Sequence, residues 1–432
     1  MDRIGFYSTR NKNINFNFPD AVMSGLAPDG GLFMPHNLVP LPSKFWKVWD
    51  KMNFHEVAFE IFKHVLKSEF TDSELHQIVV STLGFDTPIV RVNEDIYSLE
   101  LFHGPTLAFK DFGAKFLAAV LSHYATKLES NITILVATSG DTGSAVAHGF
   151  YNLPGTRVVV LYPSGKVSDF QEKQFTTLGG NITALEVDGT FDDCQRFVKL
   201  AFSDKEIINQ LTITSANSIN IARLIPQMLY YFRAVQQWQL KSPPVVAVPS
   251  GNFGNLTAGL MAKRIGLPIH HFIAATNRND IIPKYLETGK FKPKPSISTI
   301  SNAMDVGNPS NFERVIDLFD NKHNEIVSEI TGYSFSDEET KKSIRQYYDS
   351  YSYLLDPHSA VACLGLRKYI DSHPKEKGII LSTAHPAKFI NVVEETIGKK
   401  ISIPKSLSQL LTKEKQSVGV KTFEDVKAFL LR

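Results

Sequence analysis

The stretch ITILVATSGDTGSAVAHGF, residues 132–150, falls into three parts with different physical demands. Residues 132–136 form a short aliphatic and β-branched run, the mark of a strand buried on both faces. Residues 138–143, Thr-Ser-Gly-Asp-Thr-Gly, are small and polar, and from about 142 to 151 the apolar residues take helical spacing. A buried strand that feeds directly into a helix is the unit of a parallel sheet covered on both faces.

The unit repeats downstream. Strands are expected at 158–161, 182–187, 245–248, 271–275 and 379–381. Helices are expected near 169–178, through Cys194, Phe197, Val198 and Ala201, along 219–240, and at 256–265, 312–319 and 337–353. Asp356-Pro357 opens a further helix, with Asp as N-cap and Pro at the first helical position. Residues 285–311, rich in Pro, Ser and Lys and without period, read as one long loop. The tail after residue 403 reads as helical and peripheral. Upstream, residues 54–66 and 72–83 show helical spacing, and 27–32 reads as a turn. The expected fold is α/β, with parallel sheets covered on both faces. The expected division is a mainly helical N-terminal segment at 1–95, a smaller domain region at about 96–225 and a larger one at about 226–432, with the chain able to cross between the two.

A chain of 432 residues suffices for two or three domains. Its 46 basic residues against 44 acidic ones supply no field for nucleic acid or an anionic membrane. No apolar run approaches the ~20 residues that span a bilayer, and the opening MDRIGFYSTRNKN has no secretory pattern. A cytoplasmic location is therefore expected, with monomer and homodimer both open. Cys194 and Cys363 lie in apolar helical patterns and read as reduced core thiols. His103, His358 and His385 lack metal-ligand spacing, so no metal site is expected.

Three polar loops follow buried strands directly: residues 138–143, 250–255 and 382–385. In parallel α/β sheets ligands bind at the carboxyl ends of strands, so the three can converge. In the second loop Gly251 and Gly254, with Asn252, Phe253 and Asn255, lead into a helix whose free N–H groups suit a phosphate. An ordinary strand-to-helix turn would read the same. No G-x-x-x-x-G-K-[ST] occurs, which argues against a nucleoside triphosphatase. In the first loop a helix N-terminus with Ser139, Thr142 and backbone amides suits a carboxylate, or Asp141 or Thr142 merely caps the next helix. Asn217, Ser218 and Arg223 form a possible second anion site, or a cap and a surface arginine. Lys110 lies between Phe109 and Phe112, after the rigid Gly104-Pro105-Thr106 turn. Desolvation there would favour the neutral amine, a nucleophile able to form a Schiff base with a carbonyl compound. A surface lysine opening an amphipathic helix at 111–128 would look alike.

The segments HGPTLAFKDFGAKF (103–116), ATSGDTGSAVAHGF (137–150), SANSINIAR (215–223), VPSGNFGNLTAG (248–259), NAMDVGNPSNFER (302–314) and STAHPAKF (382–389) occur in this order. Together they resemble the microbial threonine synthase family of pyridoxal-phosphate enzymes, which implies a tryptophan-synthase-like fold: two doubly wound α/β domains with the cofactor in the cleft between them, plus the N-terminal segment. The resemblance implies that Lys110 holds the cofactor, residues 251–255 its phosphate, and Thr383 its pyridine nitrogen as a neutral hydrogen-bonding partner. It places Asp141 at the cofactor as well. It assigns the substrate carboxylate to Thr138, Ser139, Gly140 and Thr142. The phosphate of O-phospho-L-homoserine falls to Asn217, Ser218 and Arg223. The implied reaction yields L-threonine and phosphate. A phospho-lyase, a serine or threonine dehydratase, and a catalytically silent relative are the alternatives. Tyr7-Ser8-Thr9-Arg10 resembles the family's opening but runs on into Asn11-Lys12, so no role is assigned to it.

Overall fold

The computed structural model describes residues 5–432. The first strands, β1 (Phe6–Ser8), β2 (Asn11–Phe16) and β3 (Phe33–Pro35), form a small antiparallel sheet in the order β2-β1-β3. The N-terminal segment is therefore not purely helical, although helices Phe54–Leu66 and Asp72–Thr82 lie where the spacing puts them. Both carry a capping box, Asn53 with Glu56 and Thr71 with Glu74.

Two larger sheets carry the rest. One comprises β4 (Ile89–Arg91), β5 (Ile96–Glu100), β10 (Val245–Pro249), β11 (His271–Thr276), β12 (Ile330–Ser334) and β13 (Gly378–Ser382). Its order is β12-β11-β10-β13-β5-β4, parallel except where β4 runs against β5. The other comprises β6 (Ile132–Ala137), β7 (Thr156–Pro163), β8 (Ile182–Val187), β9 (Thr212–Ser215) and β14 (Val418–Val420). It is parallel throughout, in the order β14-β8-β7-β6-β9. Every residue of β6, β10, β11 and β13 is buried, as unbroken apolar runs require of strands covered on both faces.

The boundaries at 96–225 and 226–432 do not follow these sheets. β5 pairs with β13 in the six-stranded sheet, and β14 adds an edge strand to the five-stranded one. The chain thus crosses between sheets at both ends, which no local pattern announces. The tail is accordingly not just peripheral helix. Between the helices Lys405–Leu411 and Phe423–Leu430 it contributes a strand, and Val420 and Val426 enter the core beside Leu185.

Three helices also depart from expectation. The helix expected along 219–240 is two, Ile221–Leu224 and Gln227–Gln237, because Pro226 has no N–H to continue the ladder. The loop expected at 285–311 loses its first residues to the helix Ile281–Thr288, which tolerates Pro283 in its first turn and buries Ile281, Ile282, Tyr285 and Leu286. Finally, the helix Lys110–Lys127 is not amphipathic. Phe112, Ala114, Phe116, Leu117, Val120 and Leu121 are all buried, as in a helix enclosed by neighbours.

Candidate active site

Lys110 opens this enclosed helix. Its Nζ lies 3.6 Å from Asp141 Oδ2 and 5.7 Å from the centroid of the Phe109 ring. Phe112 does not face it. Two positions further on a helix points away, and Phe112 packs edge-on against Phe85 and Tyr230. Burial pushes the Lys110 pKa below the ordinary lysine value; Asp141 opposes this, while Lys388 and Arg223 add to it. For the Asp141 carboxyl burial alone would raise the pKa, but Lys388 and Lys110 overcome it and hold the group well below the usual range.

The first polar loop is shaped by its own members. Thr138 Oγ1 accepts from the N–H groups of Gly140 (3.0 Å) and Gly143 (2.8 Å). A Cβ on Gly140, whose φ is +149°, would meet the Gln171 side chain at 2.6 Å. Thr138 and Gly140 therefore build the loop and leave Ser139, exposed, and Thr142, half-buried, as its free hydroxyls. The first-turn N–H groups of the helix Asp141–Phe150 lie beside them.

In the second loop Phe253 takes a left-handed conformation at φ +63°. Its buried ring packs edge-on against Phe312, which holds that uncommon backbone in place. Asn252 is used between loops: Nδ2 donates to Ser218 Oγ (2.7 Å) and Oδ1 accepts from the Ser310 N–H (2.6 Å). Buried Asn255 accepts at Oδ1 from Tyr230 and Tyr231, both at 2.7 Å, and among the described residues its Nδ2 has no partner.

The segment at 217–223 is capped by Asn220, whose side chain accepts from the Ala222 N–H; neither Asn217 nor Ser218 caps the helix. Arg223 is not a surface residue. It is 3% exposed, donates Nη1 to the Ala216 carbonyl at 2.5 Å, and keeps a buried Nε without a partner among the described residues. Burial brings its pKa down to about 10. Gly113, one turn after Lys110, makes this approach possible, since a Cβ there would sit 2.9 Å from Arg223 Nε. Thr383, buried at the end of β13, accepts at its carbonyl from the Phe109 N–H (2.9 Å). Ala108 and Ala384 form a bridge beside it. The expected residues thus form one connected set: 383 to 109, 110 to 141, 113 to 223, and 218 to 252.

Four residues beyond the expected site residues also shape it. Lys388 pairs with Asp141 Oδ1 at 2.6 Å. Asp111 accepts from Thr106 N–H and Oγ1–H, which fixes the turn before Lys110. Fully buried Arg314 donates to the carbonyls of Phe33 and Ile219 and to Asn311 Oδ1. His358 accepts at Nε2 from the Ala303 N–H, which leaves its Nδ1 proton for Asp356 at 2.7 Å.

The residues present fit a phosphorylated pyridine aldehyde. A Cβ on Gly254 would make only ordinary contact, with Asn311 Nδ2 at 3.4 Å, so packing within the chain does not demand a glycine at the start of the Gly254–Arg264 helix. Asn255 Nδ2, in the same loop and without a partner among the described residues, is a donor suited to the phosphate.

Residues 80–383 match the family described as "Pyridoxal-phosphate dependent enzyme". Residues 5–83 match "Threonine synthase N terminus", and residues 359–430 match "Threonine synthase, C-terminal". The threonine synthase of Escherichia coli is 45% identical over 405 residues, covering 93% of each chain. Its crystal structure superposes with a TM-score of 0.91 over 99% of both chains. A structure described as PLP-bound threonine synthase from Brucella melitensis superposes at 0.92 with 32% identity, again over 99% of each. On this agreement along nearly its whole length, the chain belongs to the threonine synthase family of pyridoxal-phosphate-dependent lyases.

Proposed function

We propose that the substrate is O-phospho-L-homoserine, which loses phosphate from Cγ and takes up water at Cβ to give L-threonine. The bound pyridoxal phosphate supplies an electron sink for charge developing at the substrate's carbons. Lys110 would be its covalent anchor, the amides and Asn255 of residues 251–255 would take its phosphate, and Thr383 would donate to its ring nitrogen. Once free, Lys110 moves protons at Cα and Cβ, a task suited to an amine whose pKa is lowered by burial. Ser139, Thr142 and the N–H groups beginning the Asp141–Phe150 helix receive the substrate carboxylate, with Asp141 beside Lys110.

The observation that carries the choice of substrate is buried Arg223: its Nη1 holds the Ala216 carbonyl, just before Asn217-Ser218, and its Nε, beside Gly113, has no partner among the described residues. A buried guanidinium without a carboxylate in contact is costly unless an anion completes it. A dehydratase would have no use for this second anion site. With O-phosphohomoserine, threonine should be the main product and 2-oxobutyrate a minor one; mostly 2-oxobutyrate would overturn the reading in favour of the phospho-lyase. Borohydride should fix the cofactor on Lys110. Arg223→Ala should lower kcat/KM for O-phosphohomoserine by at least roughly tenfold, the loss of one or two charge-assisted hydrogen bonds. Cofactor affinity should stay unchanged.

A further inference from the structure

We propose that Lys388 is a positioning residue for Lys110: it pins one oxygen of Asp141 so that the other faces Lys110, dividing a single carboxylate between two ammonium groups. The inference rests on the reading of Lys110 as the reactive lysine. Lys388 stands in the turn Pro386–Phe389 after β13, whereas Asp141 heads the helix that leaves β6, so the pair joins the two large sheets. The Lys388 side chain is 0% exposed and that of Asp141 5%. Nζ of Lys388 also donates to the Thr106 carbonyl at 2.8 Å, and Gln171 Nε2 donates to Asp141 Oδ1 at the same distance. Oδ1 is thereby committed, and Oδ2 is left for Lys110 at 3.6 Å.

A buried ammonium is costly unless paired, and ordinary packing would not demand a lysine here. Its presence has a consequence for the neighbouring amine. The charged groups facing Lys110 are Asp141, Lys388 and Arg223. Asp111, next on the same helix, turns its carboxylate back onto Thr106. His148 and His385 also lie near Lys388, but burial brings both down to about 4, so they are neutral near pH 7. Asp141 therefore holds the proton on Lys110, and Lys388 weakens that hold by sharing the carboxylate and repelling the second cation. Removing either partner should shift the proton equilibrium of Lys110, in opposite directions.

The test uses the full-length protein stripped of cofactor, with acetic anhydride labelling at Lys110 followed against pH by peptide mass spectrometry. Lys388→Met should move the labelling midpoint upward by about one pH unit, and Asp141→Asn should move it downward by a similar amount. Lys388→Arg, which keeps the charge, should stay close to the parent. In the loaded enzyme the pH midpoint of the cofactor's visible absorbance should follow the same order. Loosened packing alone would expose Lys110 and speed labelling in both variants, without opposite displacements. Same-direction or absent displacements would overturn the proposal. Should Lys388→Met fail to fold, a midpoint in Asp141→Asn that does not fall is sufficient to reject it. Failure of the underlying reading is separate, since borohydride would then fix the cofactor on another lysine.

Discussion

His148, His271 and His385 share a condition that reaches beyond their individual contacts. Burial is the first cause in each case, and it brings all three to about 4, against 6.5 for an ordinary histidine. A depressed pKa means that the unfolded chain binds the proton first. Stability is therefore held above pH 6.5 and lost as pH falls from there toward 4, by at most ~1.4 kcal/mol per pH unit for each residue. Melting temperature should decline steeply over that window. His271→Gln, in a strand away from the site and paired with Thr331 Oγ1, should make the acid limb shallower. An unchanged slope in that variant would show that other groups dominate acid unfolding. At this scale the sequence was legible where a local run suffices, as for the polar loop at 138–143 between β6 and the helix Asp141–Phe150. It was silent on Lys388, whose partner lies some 250 positions away, and on the burial of Arg223, which depends on Gly113 of another helix. The aromatic flanks of Lys110 were half legible: Phe109 lies against the ammonium, but the helical turn carries Phe112 elsewhere.

Strands read well because unbroken apolar runs of β-branched residues leave little choice, and β6, β8 and β10 end within two residues of their expected bounds. Elements failed at Pro226 and Pro283, where a proline decided the outcome, and at short strands such as β5, β9, β12 and β14, of three to five residues each. The phosphate loop shows why identical residue types can do different work within one element. A Cβ on Gly251 would sit 2.7 Å from the Ala303 carbonyl and 2.8 Å from Met304 Cα, while His358 holds Ala303 from the other side. Gly251 is thus required by packing within the chain. A Cβ on Gly254 would make only ordinary contact, with Asn311 at 3.4 Å, so packing within the chain does not require a glycine there. Gly251→Ala should lower the melting temperature of the cofactor-free protein, whereas Gly254→Ala should leave it nearly unchanged yet weaken cofactor binding, measured by fluorescence titration. If both variants melt alike and bind alike, the loop is only a turn.

At the scale of the whole molecule, the N-terminal segment is tied to the site through the helix Phe312–Leu318. Tyr7 donates to Asp317 at 2.6 Å, and Thr9 and Arg10 both engage Glu313. Tyr7-Ser8-Thr9-Arg10, to which the sequence assigned no role, therefore anchors this helix. From the same helix Arg314 reaches inward, entirely buried, to Phe33 of the N-terminal sheet, to Ile219 beside the second anion turn, and to Asn311 next to Gly254. Burial lowers its pKa to about 9, and its three hydrogen-bonding partners are neutral, so its planar fork has been retained for geometry. Arg314→Lys keeps a charge but cannot span three acceptors at once. Each lost bond to a charged donor is worth ~1.5–3 kcal/mol, so the melting temperature should fall by several degrees at least. The displaced Ile219 carbonyl should carry Ser218 with it, raising KM for O-phosphohomoserine several-fold with a smaller change in kcat. A fall in melting temperature with KM unaltered would mean that Arg314 only fastens the N-terminal segment to the core. A rise in KM with the melting temperature intact would mean that the turn at 217–219 yields without loosening the fold, and that the N-terminal segment acts on the site through Arg314 alone.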